Sequence, residues 1–325
     1  MIRNPISHKN VKFFYYTKGA YNELLRRFGH KKSREGMARW IDSLNSEVLE
    51  SRLNYYNKLQ PFSNNQSKGP TIGNLEIPRK NKAYYFDLIE FTRYFPDTFQ
   101  INYQFGDITE IPGNPTLLKS RPIHGENMNS ILYKFNRIRH YTFTNDRISF
   151  KNKKNLLIGR ANVKQEHRRE FLQQYFDHPM CDLGQINSGT EHDHWLKDKI
   201  SINDHLQYKF IWSQEGFDVA SNLKWVMSSN SIAVMPNPKY ETWFMEGTLR
   251  PDEHYIALKD DFSDLEERLH YYLEHENEAR DIIENANAFV KKFRNPKLEK
   301  ALCFLVLDKY FVQSGQLKSL FPKWY

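Results

Sequence analysis

The chain has 325 residues, 39% hydrophobic and 15% aromatic, enough for a buried core in one large or two ordinary domains; this excludes a disordered chain. Two cysteines without paired spacing, Cys181 and Cys303, exclude a thiolate zinc site and a disulfide framework and suit a reducing cytosol. The net charge of +8 points to an anionic partner: nucleic acid, an anionic membrane face or a phosphorylated substrate. The basic residues stand in short clusters such as Arg26-Arg27 and Lys151–Lys154, and no nucleic-acid-binding signature accompanies them. There is no run of eighteen apolar residues, and the first residues lack the apolar centre of a signal peptide. A soluble, unexported, cytoplasmic protein is therefore expected.

From residue 17 to 60 the apolar spacing predicts three helices. Tyr21, Leu24, Leu25 and Phe28 share a face of the first. Ser33 caps a second through Met37, Trp40, Ile41 and Leu44, and Ser46 a third through Val48, Leu49 and Leu53. The region reads as a structural helical cap or, because Arg and Lys stand beside Trp and Phe, as a membrane-docking surface. Residues 61–80 are rich in Pro, Gly, Ser and Asn and read as a loop or mobile lid. Ala83–Phe95 returns to a helical pattern, ended by Pro96. Phe99, Ile101, Tyr103 and Phe105 then alternate as a strand. Gly106-Asp107 follow at once. A carboxylate just past a strand end sits where α/β enzymes place chemistry; the same Gly-Asp pair also suits an Asx-turn. Lys119 and Arg121, two residues apart, either offer paired cations to a phosphate or lie in an exposed basic loop.

A second domain is expected from about Lys151. Asn155–Ile158 reads as a buried strand, followed by Gly159-Arg160 and Glu166–Glu170. Three short apolar runs come next, Lys209–Trp212, Ser231–Met235 and His254–Leu258. They alternate with helical patterns at Val219–Ser228 and Tyr240–Leu249, and Ser263 with Glu266 has capping-box spacing for a further helix. This alternation predicts βαβ units on a parallel sheet. Its first run leads into Gln214-Glu215-Gly216-Phe217-Asp218, a glycine-bearing loop at the sheet edge where α/β proteins bind ligands. The stretch reads as a nucleotide- or phosphate-binding half-domain, or as an α/β core without a ligand. His192 and His194 have no third ligand signalled nearby, so no metal site is expected there. Glu276–Phe293 is an amphipathic helix stopped by Pro296, and Leu298–Val312, apolar on most sides, should be buried.

The strings GFDVASNLKW, SSNSIAVMP and YETWFMEGTLRPDEHYIALKDDFSDLEE resemble glycosyltransferase family 90, in particular its bacterial lipopolysaccharide transferases. Weaker resemblance extends upstream to about Phe99. The resemblance implies an α/β protein of GT-B type, with two Rossmann-like domains facing a cleft and, here, an N-terminal helical extension. Residues 1–150 would form the acceptor-side domain, joined by a returning C-terminal helix at 297–325, and residues 151–296 the donor-binding domain. The chain has no Asp-x-Asp pair, the device that holds the metal in single-domain transferases. This favours the same GT-B type, in which helix dipoles and cations replace the ion, so no metal cofactor is expected.

The family likeness further implies transfer of a hexose or pentose from a UDP-sugar to a glycan hydroxyl, with inversion. The acceptor would be a lipopolysaccharide or lipooligosaccharide at the cytoplasmic membrane face, with peripheral contact to an anionic membrane and no role for nucleic acid. For the donor it nominates Arg168, Gly216, Asp218, Ser221, Asn222, Lys224 and Glu246, the last to hold the ribose. Eukaryotic relatives carry an arginine where Asn222 falls, so the diphosphate contact would pass to Lys224 or Arg168. The family's Arg-Gly pair appears reversed, as Gly159-Arg160. Asp107 matches the family's general base, with Glu110 the nearest rival, and inverting displacement needs one carboxylate and no covalent nucleophile. Lys119 and Arg121 are nominated for acceptor or phosphate. The competing reading is a catalytically degenerate transferase, or a basic protein docking on an anionic membrane or nucleic acid.

Overall fold

The computed structural model describes residues 8–29, 31–44, 46–62, 69–189, 191–322 and 324–325, the side chains of residues 8–10 and 46 excepted. The chain divides into two compact units. One comprises residues 1–139 with 295–325, the other residues 140–294.

The first unit is mainly helical. Its elements are α1 (His8–Arg27), α2 (Arg34–Asp42), α3 (Ser46–Tyr56), α4 (Lys82–Thr92), β1 (Thr116–Leu118), β2 (Ser120–Pro122), β3 (Ser130–Leu132) and α5 (Arg137–His140), which ends at the unit boundary. Ser33 caps α2 as its position predicts, its side chain accepting from the Gly36 amide at 2.9 Å. The side chain of Ser46, expected to cap α3, lies outside the described residues. Gly19 lets α1 lie against α4, since a Cβ there would come within 2.4 Å of the Phe86 ring. The C-terminal helix, Pro296–Gln313, is started by Asn295, which accepts from the Lys297 and Leu298 amides, with Pro296 in the first turn. It is buried on nearly every side. Phe304 stacks on Phe95 at 5.5 Å, Phe311 tilts against Phe95 at 4.8 Å, and Asn57 donates to the Val306 carbonyl. The helix therefore closes the core of this unit.

Two expectations for the first unit change. Phe99–Phe105 forms only isolated bridges, Thr71 to Gln100 and Tyr103 to Leu117, because few of its residues meet a partner. Among the described residues this unit's strands are three residues long and β1 pairs in parallel with β3, short of the larger sheet of the Rossmann-like domain that the family resemblance implied. The described end of the 61–80 loop is tied down: Ile72 is fully buried, donates to the Phe99 carbonyl, and accepts from Arg26. Residues 63–68 lie outside the described set.

The second unit begins at His140 rather than near Lys151. It contains β4 (Lys154–Ala161), α6 (Glu166–Tyr175), β5 (Cys181–Gln185), α7 (Ile202–His205), β6 (Tyr208–Trp212), α8 (Leu223–Val226), β7 (Ile232–Pro236), β8 (Tyr240–Thr242), β9 (Ile256–Leu258), α9 (Leu265–Glu274) and α10 (Glu276–Lys291). Five strands form one parallel sheet in the order β5-β4-β6-β7-β9. Counted along the chain this is 2-1-3-4-5, so the winding reverses between β4 and β6. Leu157, Leu183, Phe210, Val234 and Ile256 fill the sheet interior with Phe171, Leu269 and Ile282 from the helices.

Strands β4, β6, β7 and β9 fall where the apolar runs predict them, but no apolar run signals the edge strand β5, which carries Asp182 and Gln185, and the elements between the later runs differ from expectation. Val219–Ser228 yields only the single turn of α8. Tyr240–Leu249 is not a helix: β8 leads into a turn with Met245 at φ 59° and a 3-10 turn over Glu246–Thr248. Its apolar periodicity comes from Trp243 and Phe244, which are fully buried from irregular backbone. At α9 the N-cap is Asp264, and the hydroxyl of Ser263 donates to Asp261 instead of capping the helix.

Candidate active site

At the carboxyl ends of β4 and β6 the sheet reverses its winding, and a cavity of about 400 Å³ opens there. Its walls are Gln165–His167 at the start of α6, Gln214–Phe217 after β6, Pro236–Asn237 with Lys239-Tyr240 after β7, and Asp260 and Phe262 after β9. Four strand ends thus converge on one site. A close contact inside the sheet makes this possible. Gly159 on β4 has no side chain, and a Cβ there would meet the Trp212 ring at 2.8 Å. Trp212 in turn stacks on Phe171 at 4.8 Å, which fixes α6 over the sheet.

Arg168 braces the mouth of the site. Its guanidinium donates to the carbonyls of Glu215 (2.9 Å), Gln214 (2.8 Å) and Asn162 (2.8 Å) and lies over the Trp212 ring. Burial pushes its pKa down to about 10, so it stays charged at neutral pH. Carbonyls orient that charge but do not neutralise it. Gly216 lies beside it, where a Cβ would make ordinary contact with the guanidinium at 3.4 Å. The α6 terminus carries no side-chain cap at Gln165, and Gln165–His167 line the cavity. Arg168 and the start of α6 thus stand behind the loop that borders the cavity.

Two further residues stand here that sequence reasoning had not nominated. Glu215 accepts from the Lys239 and Tyr240 amides, both at 3.0 Å, yet burial pushes its pKa up to about 7. Burial also lowers the pKa of His167, and its Nε2 donates to the Glu215 carbonyl at 2.9 Å. Both lie beside predicted residues; what was missing was the burial that makes them unusual. Phe217, 61% exposed, presents its ring at the cavity.

The remaining donor nominations separate. Asp218 is buried, while Ser221 and Asn222 are half-buried, and Asn222 donates to the Trp212 carbonyl at 2.9 Å, tying the turn to the end of β6. Lys224 and Glu246 need correction. Both are buried and paired with each other at 2.5 Å, and Glu246 also accepts from the Thr242 amide. A carboxylate so enclosed is not the solvated helix acid that the sequence also allowed. Arg160 pairs with Asp182 at 2.8 Å within the sheet.

In the first unit Asp107 lines a cavity of about 300 Å³ made by its own loop, Gln104–Pro112, with Glu110 beside it. Gly106 precedes it at φ 126°. Lys119 is buried and pairs with the Asp107 carboxylate. Arg121 is fully buried, donates to the Ser130 and Tyr55 carbonyls, and lies over the Tyr55 ring. The expectation of an exposed cation at Arg121 is thereby corrected, whether for a phosphate or as a basic loop. His192 stacks on Trp195 at 4.4 Å, and among the described residues no three His, Cys, Asp or Glu side chains gather as metal ligands.

The sequence pattern of the family described as "Glycosyl transferase family 90" matches residues 128–310, which include the whole second unit. The chain is 39% identical over 305 residues to O-glucosyltransferase LpsA of Dichelobacter nodosus, covering 92% of this chain and 95% of that protein. Over 108 residues it is 28% and 27% identical to protein O-glucosyltransferase 3 of Rattus norvegicus and of Homo sapiens, covering 33% of this chain and 21% of each relative. The molecule is a glycosyltransferase, which sets aside the non-enzymatic reading. It belongs to glycosyltransferase family 90 and is of the LpsA type.

Proposed function

We propose that the enzyme moves a sugar from a UDP-linked donor to a hydroxyl of a glycan in the lipopolysaccharide or lipooligosaccharide core, with inversion and without a metal. The observation that carries the donor half is the cavity at the β4/β6 reversal. There the charge of Arg168 and the uncapped start of α6 would hold a leaving diphosphate, and the exposed Phe217 ring would stack on a nucleobase. Gly216, Asp218, Ser221 and Asn222 shape the loop that borders it. Asp107 in the first unit serves as general base. Lys119 acts on Asp107 rather than on a phosphate.

The bacterial relative is named an O-glucosyltransferase, so UDP-glucose is the first donor to test. Purified protein incubated with a panel of nucleotide sugars should release UDP from UDP-glucose, faster when a lipooligosaccharide core acceptor is added. UDP should also raise the melting temperature. Release of another nucleotide in place of UDP would overturn the donor assignment. UDP release that ignores every glycan acceptor would overturn the acceptor assignment.

A further inference from the structure

Helix α1 has one face sealed and the other bare. On the sealed side Gly19 meets Phe86, the Tyr15 hydroxyl donates to Asp87 at 2.6 Å, and Arg26 donates to the Ile72 and Leu75 carbonyls. On the other side stand Phe13 (64% exposed), Phe14 (63%), Tyr21 (60%) and Leu24 (51%), with Phe28 (73%) just past the last turn. At 100° per residue these fall within about 100° of arc, one stripe along the helix. Large apolar residues scattered singly on a surface are ordinary, but a row of five on one helix face marks a contact.

Charge identifies the occupant. Residues 8–32 contain seven Lys and Arg and one acid, Glu23. That acid is buried and neutralised by Arg26 and Arg27. Lys18 and Arg27 stand about 40° to either side of the stripe and are 60% and 63% exposed, each also pairing with an acid on the sealed side, Glu90 and Glu23, while Lys31 pairs with Asp97. A second copy docked face to face would set Lys18 and Arg27 against the same cations of its partner. One helix face also falls short of the roughly 20–30 residues a side of a stable protein interface. Aromatic side chains rimmed by cations match an anionic lipid surface, where the rings enter the headgroup layer and the cations meet lipid phosphate. No described helix is long and apolar enough to cross a membrane.

We propose that α1 docks the enzyme on an anionic bilayer surface, lying in the interface with Phe13, Phe14, Tyr21, Leu24 and Phe28 inserted. This does not depend on the assignment of the donor site. The test is co-sedimentation of the full chain with vesicles of phosphatidylcholine mixed with phosphatidylglycerol, and of phosphatidylcholine alone. The parent should bind the mixed vesicles more tightly, and added salt should weaken that binding. Phe13→Ser with Phe14→Ser should lower the partition at least about tenfold, and Lys18→Gln roughly fivefold. UDP release from the nucleotide sugar in solution should be unchanged in both, so a failed donor assignment would not be mistaken for failed docking. Tyr21→Ser with Leu24→Ser provides a second reading of the stripe should the first pair disturb folding. Equal binding of parent and both stripe variants would overturn the proposal, as would a parent that ignores anionic vesicles. A solution dimer that the stripe variants split would assign the face to a second copy instead.

Discussion

The Lys119 side chain is 3% exposed and pairs with the carboxylate of Asp107, which is 36% exposed. One partner is fixed in the core while the other keeps an open edge toward its cavity. A base needs this combination: a held direction and access for the proton it takes. Asp107→Asn should reduce transfer by roughly a hundred- to ten-thousand-fold and leave the UDP-induced melting shift intact. Lys119→Met should lower kcat at least about tenfold with donor affinity retained, since the carboxylate loses its tether. Initial rates with the melting shift measure both. An Asn variant that keeps more than about a tenth of the parent rate, against the usual worth of a base, would pass the role to Glu110.

Glu215 should give donor binding a pH dependence. Its pKa is raised to about 7, so it gains charge as pH rises through neutrality. A nucleotide-sugar diphosphate does not titrate there, so repulsion grows on one side only. Affinity for the donor should therefore fall between about pH 6 and 8 in the parent and stay flat in Glu215→Gln. The same sign holds for stability: a carboxyl raised in the fold favours the fold at low pH, and that contribution fades as pH rises from the ordinary carboxylate range to about 7. Calorimetric titration across that range decides the binding claim, and a parent profile as flat as the variant's rules it out.

The Lys224–Glu246 pair is predicted to act on stability rather than on the donor. Lys224→Met leaves a carboxylate buried and should cost about 3–5 kcal/mol. Adding Glu246→Leu should recover most of the loss, because two buried charges go together. Urea unfolding of parent, singles and double gives the cycle. A Lys224→Met protein of parental stability that no longer responds to UDP would restore the phosphate role.

Transfer is expected to persist in excess EDTA, with Arg168 and the α6 amides stabilising the leaving group. Loss of rate, restored by manganese or magnesium, would refute this.

The edge strand β5 of the second unit, half-buried at Cys181 and Asp182, carries no apolar run, whereas strands β4, β6, β7 and β9 were legible because parallel strands buried on both faces read as short apolar runs. Phe210, Val234 and Ile256 announce themselves in this way. The segment Tyr240–Leu249 misleads for the same reason, since Trp243 and Phe244 are buried without a helix to bury them. The loop Gln214–Asp218 was readable from its place after a strand. Lys224 and Glu246 looked like separate surface charges, and nothing in their spacing signals a buried pair. Glu215 and His167 were adjacent to named residues but gain their character from neighbours far along the chain, Lys239 and Tyr240 among them. The first unit was least legible. Its core depends on contacts such as Phe95 with Phe304 and Arg34 with Asp308, which join the chain's two ends.

That joining sets an order of events on the ribosome. The second unit is continuous from His140 to Arg294, so all of its residues have been synthesised before the C-terminal helix is. The first unit begins earlier but lacks Phe304, Leu307 and Phe311 until the final stretch emerges. The usual N-terminal-first sequence of domain folding is thus inverted here. The early-made helices wait with their apolar faces unpaired, and a truncation just before Asn295 would leave a folded second unit attached to an unfinished first.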